Sequence, residues 1–328
     1  MSNHTSKHTS SSTSFPVPAI TPSAVQLILD ENVHEVTEHY ITASDGTQLY
    51  YEISGSGQVD FLLCDGIGCD GFIWPYLKPY LQEMGRVIHL HMRGHGKSQA
   101  PHNPRQVSII DLAQDWLCVL QKLETRPVWA LGHSMGVQVG LELVKQGRHL
   151  NWQGLVLLCG TFEHTPSHFH NTQMLERVLP LLRKAANMGG NQLRKVWNRI
   201  VRFPLNPHIA RLTEMSSALS RKRDIENYLK HLATMDPKTF LAMLSAAAEH
   251  SARTYLADIQ TPTLIIAGEK DHFTPAHLSK EMHALLPNAQ LHVIAEGTHA
   301  APIEHTIEVN GYIRRFIYHI SHSAESQL

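Results

Sequence analysis

Six short apolar runs, rich in valine, isoleucine and leucine, constrain the fold of this chain more than any other feature. They occupy residues 59–64, 87–92, 127–131, 154–159, 263–267 and 290–294. Most of them lack the alternation of apolar and polar residues found in a strand exposed on one face, so they are typical of parallel strands covered on both faces. Helical patterns alternate with these runs, at 108–124, 135–146, 277–286 and 302–318. This alternation predicts an α/β fold, in which right-handed crossovers connect a mostly parallel central sheet to flanking helices.

Two alternating segments precede the first apolar run. Residues 37–42 and 48–53 flank a turn formed by Ser44, Asp45 and Gly46. Strand-like alternation on both sides of such a turn is typical of a β-hairpin. We therefore expect the sheet to begin with an antiparallel pair.

The interval 161–256 interrupts the alternation of strands and helices. It contains no convincing strand but several helical stretches, and these are separated by the helix-breaking residues Pro180, Gly189, Gly190, Pro204 and Pro237. The pattern predicts a helical cap inserted into an α/β core. That core is formed by residues 25–160 and 257–320, and its sheet resumes at Pro262.

Both ends of the chain are predicted to lie outside this core. Residues 1–24 are rich in serine, threonine and histidine and have few large aliphatic side chains, so we expect a disordered tail. This segment has no apolar stretch typical of a secretory signal and too little arginine for a transit peptide. Residues 321–328 are expected to be a flexible C-terminus. The last three residues are similar to a peroxisomal Ser-Lys-Leu signal, but Gln327 stands in place of the basic residue.

Composition excludes several classes of function. The chain has 328 residues, 42% of them hydrophobic, and its 28 basic and 29 acidic residues give a formal net charge of −1. This balance argues against a partner held by phosphate contacts, such as a nucleic acid, and against a polybasic membrane anchor. No uncharged apolar run approaches the roughly 18–20 residues of a membrane-spanning helix. Four cysteines without a CxxC pair favour a reducing compartment, so we expect a cytoplasmic protein. The oligomeric state stays open.

The segment Gly132-His133-Ser134-Met135-Gly136 follows the third apolar run and opens a predicted helix. In this strand–turn–helix setting a G-x-S-x-G pentapeptide is typical of a nucleophile elbow. The sharp turn exposes the serine hydroxyl, and the glycines remove side chains that would collide with neighbouring elements. An ordinary glycine-rich turn between a strand and a helix is the alternative interpretation.

A serine nucleophile requires a base that is oriented by a third group. Asp271 follows the fifth apolar run and His299 follows the sixth. The carboxyl ends of parallel strands meet at one edge of a sheet, so both side chains are expected near Ser134. Glu269 competes with Asp271 for the acidic role, but it lies closer to the strand end, where we expect it to be structural or solvent-facing.

From about residue 36 to 320 the chain resembles the α/β-hydrolase superfamily. The resemblance lies in the elbow, in the order Ser…Asp…His, in the cap after the sixth strand, and in residues 261–271 (TPTLIIAGEKD) and 93–98 (RGHGKS). It implies that Ser134 is the nucleophile, His299 the general base and then acid, and Asp271 the orienting carboxylate. It implies no cofactor.

The resemblance also implies an oxyanion hole. In the superfamily one amide follows the nucleophile, here Met135, and another comes from the loop after the third strand, here Ile67. That loop usually carries His-Gly, whereas this chain has Asp65 before its glycine.

Three further residues near these positions are predicted to contact the substrate: Gly66, Gly68 and His133. A second departure from the superfamily pattern is His91, where relatives often have an aspartate two residues before Arg93. Either departure is expected to alter loop geometry, and with it the choice of substrate, without touching the catalytic residues.

A dinucleotide site is one competing interpretation of the same loop. Gly66, Gly68 and Gly71 formally match the G-x-G-x-x-G pattern after a strand. A true dinucleotide fingerprint runs directly into a helix, and an acidic residue follows about 20 positions later. Here Pro75 and Pro79 interrupt the helix and the next strand ends without that residue, so the sequence argues against nucleotide binding.

A metal site is another interpretation to consider, because several histidines lie close together in the sequence. His89 and His91 share a strand face but have no carboxylate or cysteine partner in a recognisable spacing, so we expect hydrogen-bonded structural residues and no metal. His164, His168 and His170 are expected in a solvated loop of the cap.

Taken together, these residues predict a serine hydrolase that cleaves an ester, thioester or lactone of a small to medium apolar acyl compound. The alternatives are C–C bond hydrolysis, perhydrolysis or acyl transfer on the same fold, or a ligand receptor without catalysis. Apolar candidates for the roof of the acyl pocket, or for the core of the cap, are Phe162, Phe169, Met174, Trp197 and Phe240.

Overall fold

The computed structural model describes residues 34–103, 107–124, 126–163, 197 and 222–325, and an eight-stranded sheet organises them. The strands are β1 Val36–Thr42, β2 Gln48–Ser54, β3 Asp60–Cys64, β4 Arg86–Leu90, β5 Val128–His133, β6 Trp152–Leu158, β7 Thr263–Gly268 and β8 Ala289–Ile294. Their order across the sheet is β1-β2-β4-β3-β5-β6-β7-β8. The predicted tail at 1–24, most of the predicted cap and residues 326–328 lie outside the described residues.

Only β2 runs against its neighbours in this sheet, and the strands from β3 to β8 pair in parallel. The predicted hairpin is present, because β1 and β2 pair antiparallel around a turn whose Gly46 adopts φ +87°. A positive φ of this kind is readily available to glycine. Each of the six apolar runs contributes a strand, which confirms the α/β class with a mostly parallel sheet.

Eight α-helices accompany these strands in the described residues. They are α1 Lys78–Met84, α2 Ile109–Leu120, α3 Met135–Gln146, α4 Lys222–Thr234, α5 Pro237–Glu249, α6 Ala276–Leu285, α7 Ala301–Glu304 and α8 Thr306–Glu325. Among the described helices we find none with the length and apolar character that crossing a membrane requires.

Two predicted boundaries at the C-terminus need correction. The single helix expected at 302–318 is two helices, α7 and α8, which meet at His305. The flexible segment expected from residue 321 is helical up to Glu325. After Gly311 this part of the chain contains neither glycine nor proline, so no residue type that readily ends a helix interrupts α8.

The apolar strands are buried on both faces, which explains their lack of polar alternation. In β3, Leu62 belongs to a cluster that includes residues of α2 and α3, whereas Phe61 and Leu63 belong to a cluster that includes residues of α8. Layers of helix on both sides of a parallel sheet require this pattern. The carboxyl ends of the strands therefore emerge together at one edge of a well-packed core.

Helices α4 and α5 come from the interval predicted to form the cap. In α4, Asp224 accepts a hydrogen bond from the Tyr76 hydroxyl at 2.8 Å. Nδ1 of His231 in the same helix lies 3.0 Å from the Asp70 carboxylate. The Gln138 side chain of α3 donates to the Ala247 carbonyl oxygen of α5 at 2.9 Å. These contacts hold α4 against the loop after β3 and α5 against helix α3.

Candidate active site

Ser134 occupies the sharp turn between β5 and α3, where its backbone adopts φ 56° and ψ −121°. Two glycines make this turn sterically feasible. A Cβ atom at Gly136 would lie 2.0 Å from the Cys64 carbonyl oxygen, and one at Gly132 would lie 2.3 Å from the Gly136 carbonyl oxygen. Real Cβ atoms do not approach so closely, so this turn requires glycine at both positions.

The structure brings Ser134, His299 and Asp271 into one continuous set of hydrogen bonds. Nε2 of His299 lies 2.9 Å from the Ser134 Oγ, and Nδ1 of His299 lies 2.9 Å from the Asp271 Oδ2. The three residues follow β5, β8 and β7, so they meet at the edge where the strands end. The arrangement allows the imidazole to accept the hydroxyl proton while the carboxylate orients the ring.

Asp271 is buried, and its own loop fixes its carboxylate. Oδ1 accepts hydrogen bonds from the Phe273 and Thr274 amides at 2.9 and 2.8 Å, and Oδ2 accepts one from the Thr274 hydroxyl at 2.7 Å. The Phe273 ring meets the His299 ring edge-on, with centroids 5.2 Å apart. These contacts leave Oδ2 in place for the imidazole. The roles of Thr274 and Phe273 carry no signal in the sequence.

Glu269 takes the structural role expected of it. It is exposed, and its carboxylate accepts a hydrogen bond from the Glu296 amide at 3.0 Å, which ties the loop after β7 to the loop after β8. It makes no hydrogen bond to His299 among the described residues.

His133, for which a substrate contact is predicted, is buried beside His299. The side chain is 2% exposed, and its Nε2 lies 3.0 Å from the main-chain carbonyl oxygen of His299. Burial, followed by the nearby His299, lowers the pKa of His133 to about 4, so the ring is neutral near pH 7 and Nε2 carries the donated proton. The side chain is thus engaged with the backbone of His299, and its contact with a substrate stays a prediction.

Two amides near Ser134 are available for an oxyanion. Met135 is the first residue of α3, and within the described residues neither its N–H nor that of Ile67 has a hydrogen-bond acceptor. The Gly68 N–H, in contrast, donates to Nε2 of His95 at 2.9 Å. Gly66 packs so close to Ser134 that a Cβ atom on this glycine would lie 2.9 Å from the Ser134 Cβ. Gly68 is thus predicted to line the site without donating its amide.

The loop after β3 does not lead directly into a helix, as the loop of a dinucleotide site does. The chain beyond Gly71 enters a helix only at Lys78, where α1 begins. The loop is instead shaped by contacts with side chains from neighbouring elements. One of them, the contact with His95, was not predicted from the sequence.

Asp65 is buried at the start of this loop and has two partners. Its Oδ1 accepts a hydrogen bond from the Trp74 Nε1 at 2.7 Å, and its Oδ2 lies 2.8 Å from the His89 Nε2. Burial opposes ionisation of Asp65, but the charge and hydrogen bond of His89 outweigh it and lower the carboxyl pKa. Burial likewise disfavours a charged His89, but Asp65 outweighs it and raises the imidazole pKa to about 9.

His91, the second departure from the superfamily pattern, supports the loop after β4. Its Nδ1 accepts a hydrogen bond from the Lys97 amide at 3.1 Å. Burial, followed by the charge of His89, lowers the pKa of His91 to about 4. His89 and His91 are both hydrogen-bonded structural residues, as predicted. Neither Asp65 nor His91 forms a hydrogen bond with Ser134, His299 or Asp271 in the described residues.

Side chains of α4 and α5 lie over Gly68. Leu232, Tyr228 and Phe240 come within 3.1, 3.5 and 3.7 Å of the position that a Cβ atom would occupy there. Trp197 packs on Phe240, with ring centroids 5.1 Å apart.

The other apolar candidates fall elsewhere. Phe162 is fully buried in the cluster that includes Leu141 of α3 and Met282 of α6, so it belongs to the core and not to a roof over the site. Phe169, Met174 and the three cap histidines His164, His168 and His170 lie outside the described residues.

Comparison with known proteins agrees with this architecture. Residues 61–306 match the family described as alpha/beta hydrolase fold. A 2-hydroxy-6-oxononadienedioate/2-hydroxy-6-oxononatrienedioate hydrolase of Cupriavidus pinatubonensis is 27% identical over 308 residues, covering 88% of this chain and 99% of that protein. A Serratia proteamaculans protein provisionally named carbamate hydrolase RutD is 27% identical over 268 residues, covering 80% and 93%. The esterase EaEST from Exiguobacterium antarcticum superposes with a TM-score of 0.66 at 23% identity, covering 85% of this chain and 98% of the esterase, which shows the shared fold alone.

Proposed function

The chain belongs to the alpha/beta hydrolase family, and from that premise we propose that it is a serine hydrolase acting on an ester, thioester or lactone of a small to medium apolar acyl compound. The observation that carries the proposal is the pair of 2.9 Å contacts that join Ser134, His299 and Asp271. A nucleophile, its base and the orienter of that base are within hydrogen-bond reach of one another before any substrate binds.

The reaction begins with attack of the Ser134 Oγ on the substrate carbonyl carbon. His299 Nε2 takes the hydroxyl proton, and Asp271 stabilises the imidazolium that forms. The bond between the carbonyl carbon and the leaving group then breaks, and the leaving oxygen or sulfur takes the proton from His299. Water then gives a proton to the same imidazole and attacks the acyl-enzyme. The bond between the acyl carbon and the Ser134 Oγ breaks, and His299 returns the proton to that oxygen.

The oxyanion formed in both steps requires donors that are already in place. We assign this role to the Met135 and Ile67 amides, which have no acceptor within the described residues. Loss of one such donor typically lowers turnover by about 100- to 1000-fold. The described side chains over this loop include Leu232 and Phe240, so an apolar acyl group suits the space beside it.

C–C bond hydrolysis is a second candidate function. It is favoured by the relative from Cupriavidus pinatubonensis, whose name gives a hydrolase of a dienedioate or trienedioate and which aligns along nearly its whole length. The same serine, base and orienter would serve there, so a substrate panel has to separate the two functions.

The test is covalent labelling by a fluorophosphonate probe, followed by p-nitrophenyl esters of increasing chain length and a vinylogous 1,5-diketone as the C–C substrate. We expect wild type to be labelled and to cleave the shorter esters, and Ser134→Ala to do neither. Ser279→Ala is the control for the substitution itself, because Ser279 is a buried serine outside the proposed catalytic set and its hydroxyl has no partner in the described residues. Folded wild-type protein that takes up no probe, or takes it up elsewhere than Ser134, would overturn the proposal. Turnover of the diketone alone would favour the second candidate.

A further inference from the structure

A buried carboxylate lies two residues before the amide assigned to the oxyanion hole. Asp65 is 1% exposed and follows the last residue of β3 directly. Both of its oxygens are engaged, by the Trp74 Nε1 at 2.7 Å and by the His89 Nε2 at 2.8 Å. These partners come from the same loop and from β4, so the carboxylate ties the start of the loop to the body of the sheet.

Beyond Asp65 and His89, a line of charged side chains continues toward the protein surface. Nδ1 of His89 lies 3.7 Å from the Glu52 carboxylate of β2, which binds the Lys78 ammonium group at 2.5 Å. The charges along this line alternate in sign from Asp65 to Lys78. A buried carboxylate near the oxyanion would otherwise oppose the negative charge that develops there, and His89 compensates for it.

Further along, the loop is held by two more hydrogen bonds. The Gly66 carbonyl oxygen accepts from the Cys69 amide at 3.2 Å, and the Gly68 amide donates to the His95 Nε2 at 2.9 Å. With Asp65 fixed on one side and Gly68 on the other, Gly66 and Ile67 lie between the anchors. Neither of their amides has an acceptor in the described chain, and that of Ile67 is the one assigned to the oxyanion hole.

We propose that Asp65 is a positioning residue for the oxyanion hole, which holds the loop through Trp74 and His89 so that the Ile67 N–H faces the substrate oxygen. This inference rests on the proposed hydrolase function. Asp65 touches no reacting atom and acts through the loop. It should therefore affect transition-state stabilisation more than substrate binding.

The chain offers a matched control at the other end of the same two strands. Asp60, the first residue of β3, binds Arg86, the first residue of β4, through contacts of 2.7 and 2.8 Å. It is also 1% exposed. The two aspartates are five positions apart, about 16 Å along an extended strand. Substitution of Asp60 should weaken the fold as substitution of Asp65 does, without moving the loop.

The experiment compares kcat and KM for a p-nitrophenyl ester, together with the rate of fluorophosphonate labelling, in four variants with circular dichroism as the check of folding. Asp65→Leu should lower kcat and the labelling rate by about 10- to 100-fold, with KM within about 3-fold, because the donor is displaced and not deleted. Asp65→Asn, which keeps an acceptor for Trp74 and can still bond a neutral His89, should restore most of this loss. Trp74→Phe should lower kcat by about 3- to 10-fold. Asp60→Leu should lose thermal stability and keep kcat within about 2-fold of wild type.

Equal kcat values in folded Asp65→Leu and Asp60→Leu would overturn the inference. If Asp65→Leu does not fold, an unchanged kcat in Trp74→Phe would overturn it as well. A wild type that shows neither ester hydrolysis nor labelling would instead overturn the proposed function, and this inference with it.

Discussion

The Nε2 atom of His133 lies 3.0 Å from the main-chain carbonyl oxygen of His299. The residue that precedes Ser134 in the chain therefore also holds the backbone of His299. The ring centroids of the two histidines lie 5.0 Å apart, so the contact is made beside the His299 imidazole. The separation between Ser134 and His299 is set from both sides, by the side-chain hydrogen bond and by this main-chain contact.

His133→Phe should lower kcat by about 10- to 100-fold and leave KM within about 3-fold, because a small displacement of a catalytic group can cost up to about 100-fold. His133→Gln keeps an N–H that can reach the same carbonyl and should recover most of the activity. Steady-state kinetics on a p-nitrophenyl ester provide the measurement. An unchanged kcat in a folded His133→Phe protein would show that the contact has no positioning role.

Ser134→Gly should be more stable than Ser134→Ala by about 1 kcal/mol, because the turn holds φ at 56° and only glycine adopts such a conformation without strain. Neither variant has a nucleophile, so the comparison isolates the backbone. Urea denaturation at neutral pH measures the difference. Identical midpoints and slopes would mean that the turn stores no strain.

Gly136→Ala should lower stability by more than about 2 kcal/mol and abolish labelling, because its Cβ would lie 2.0 Å from the Cys64 carbonyl oxygen and the backbone has to move. Gly140, one turn further along α3, has no atom within 4 Å of the same position. Gly140→Ala should therefore raise stability by about 0.5–1 kcal/mol and keep full activity. Thermal unfolding and probe labelling test both variants, and similar behaviour of the two would contradict the steric argument.

Stability should fall as pH decreases from about 6.5 to 4, because three buried imidazoles have to gain protons. Burial is the first cause that lowers the pKa of His91, His95 and His133 from 6.5 to about 4. In this pH window the unfolded chain binds more protons at these sites than the folded protein, so acid favours unfolding. Asp115 opposes the trend, since burial raises its pKa to about 6, but it is one group against three.

Urea denaturation at intervals between pH 7.5 and 4.5 measures this slope, and His133→Gln should make it shallower by removing one of the three groups. Each imidazole contributes on the order of a few kcal/mol over the window. Stability that stays constant or rises below pH 6.5 would contradict the prediction.

The sequence predicts which residues meet at the carboxyl edge of the sheet, because the ends of strands can be recognised from local sequence patterns. Each apolar run identifies a strand, and the residues that follow three of these strands, Ser134, Asp271 and His299, meet where parallel strands end together. The glycines of the elbow add a steric requirement that is visible in the pentapeptide itself. Local pattern and chain order are sufficient for these features.

The support around the catalytic residues could not be predicted in the same way. The chain has 24 histidines, and nothing in the sequence shows that His89 pairs with Asp65 or that His133 binds the carbonyl of His299. Such contacts join loops that are distant in the chain, and their partners are set by the packing of the whole sheet. For the same reason Asp65 is an unexplained departure in the sequence, and its hydrogen bonds to Trp74 and His89 become evident only from the fold.

The backbone conformation of Ser134 has a practical consequence. Its torsion angles exist only while β5, α3 and the Cys64 carbonyl are docked together, so a loosened chain would lose the reactive geometry before it lost most of its helices. Uptake of a serine-directed probe would then report intact tertiary structure at a single residue. Such a readout would serve in crude mixtures, where optical measurements of unfolding fail.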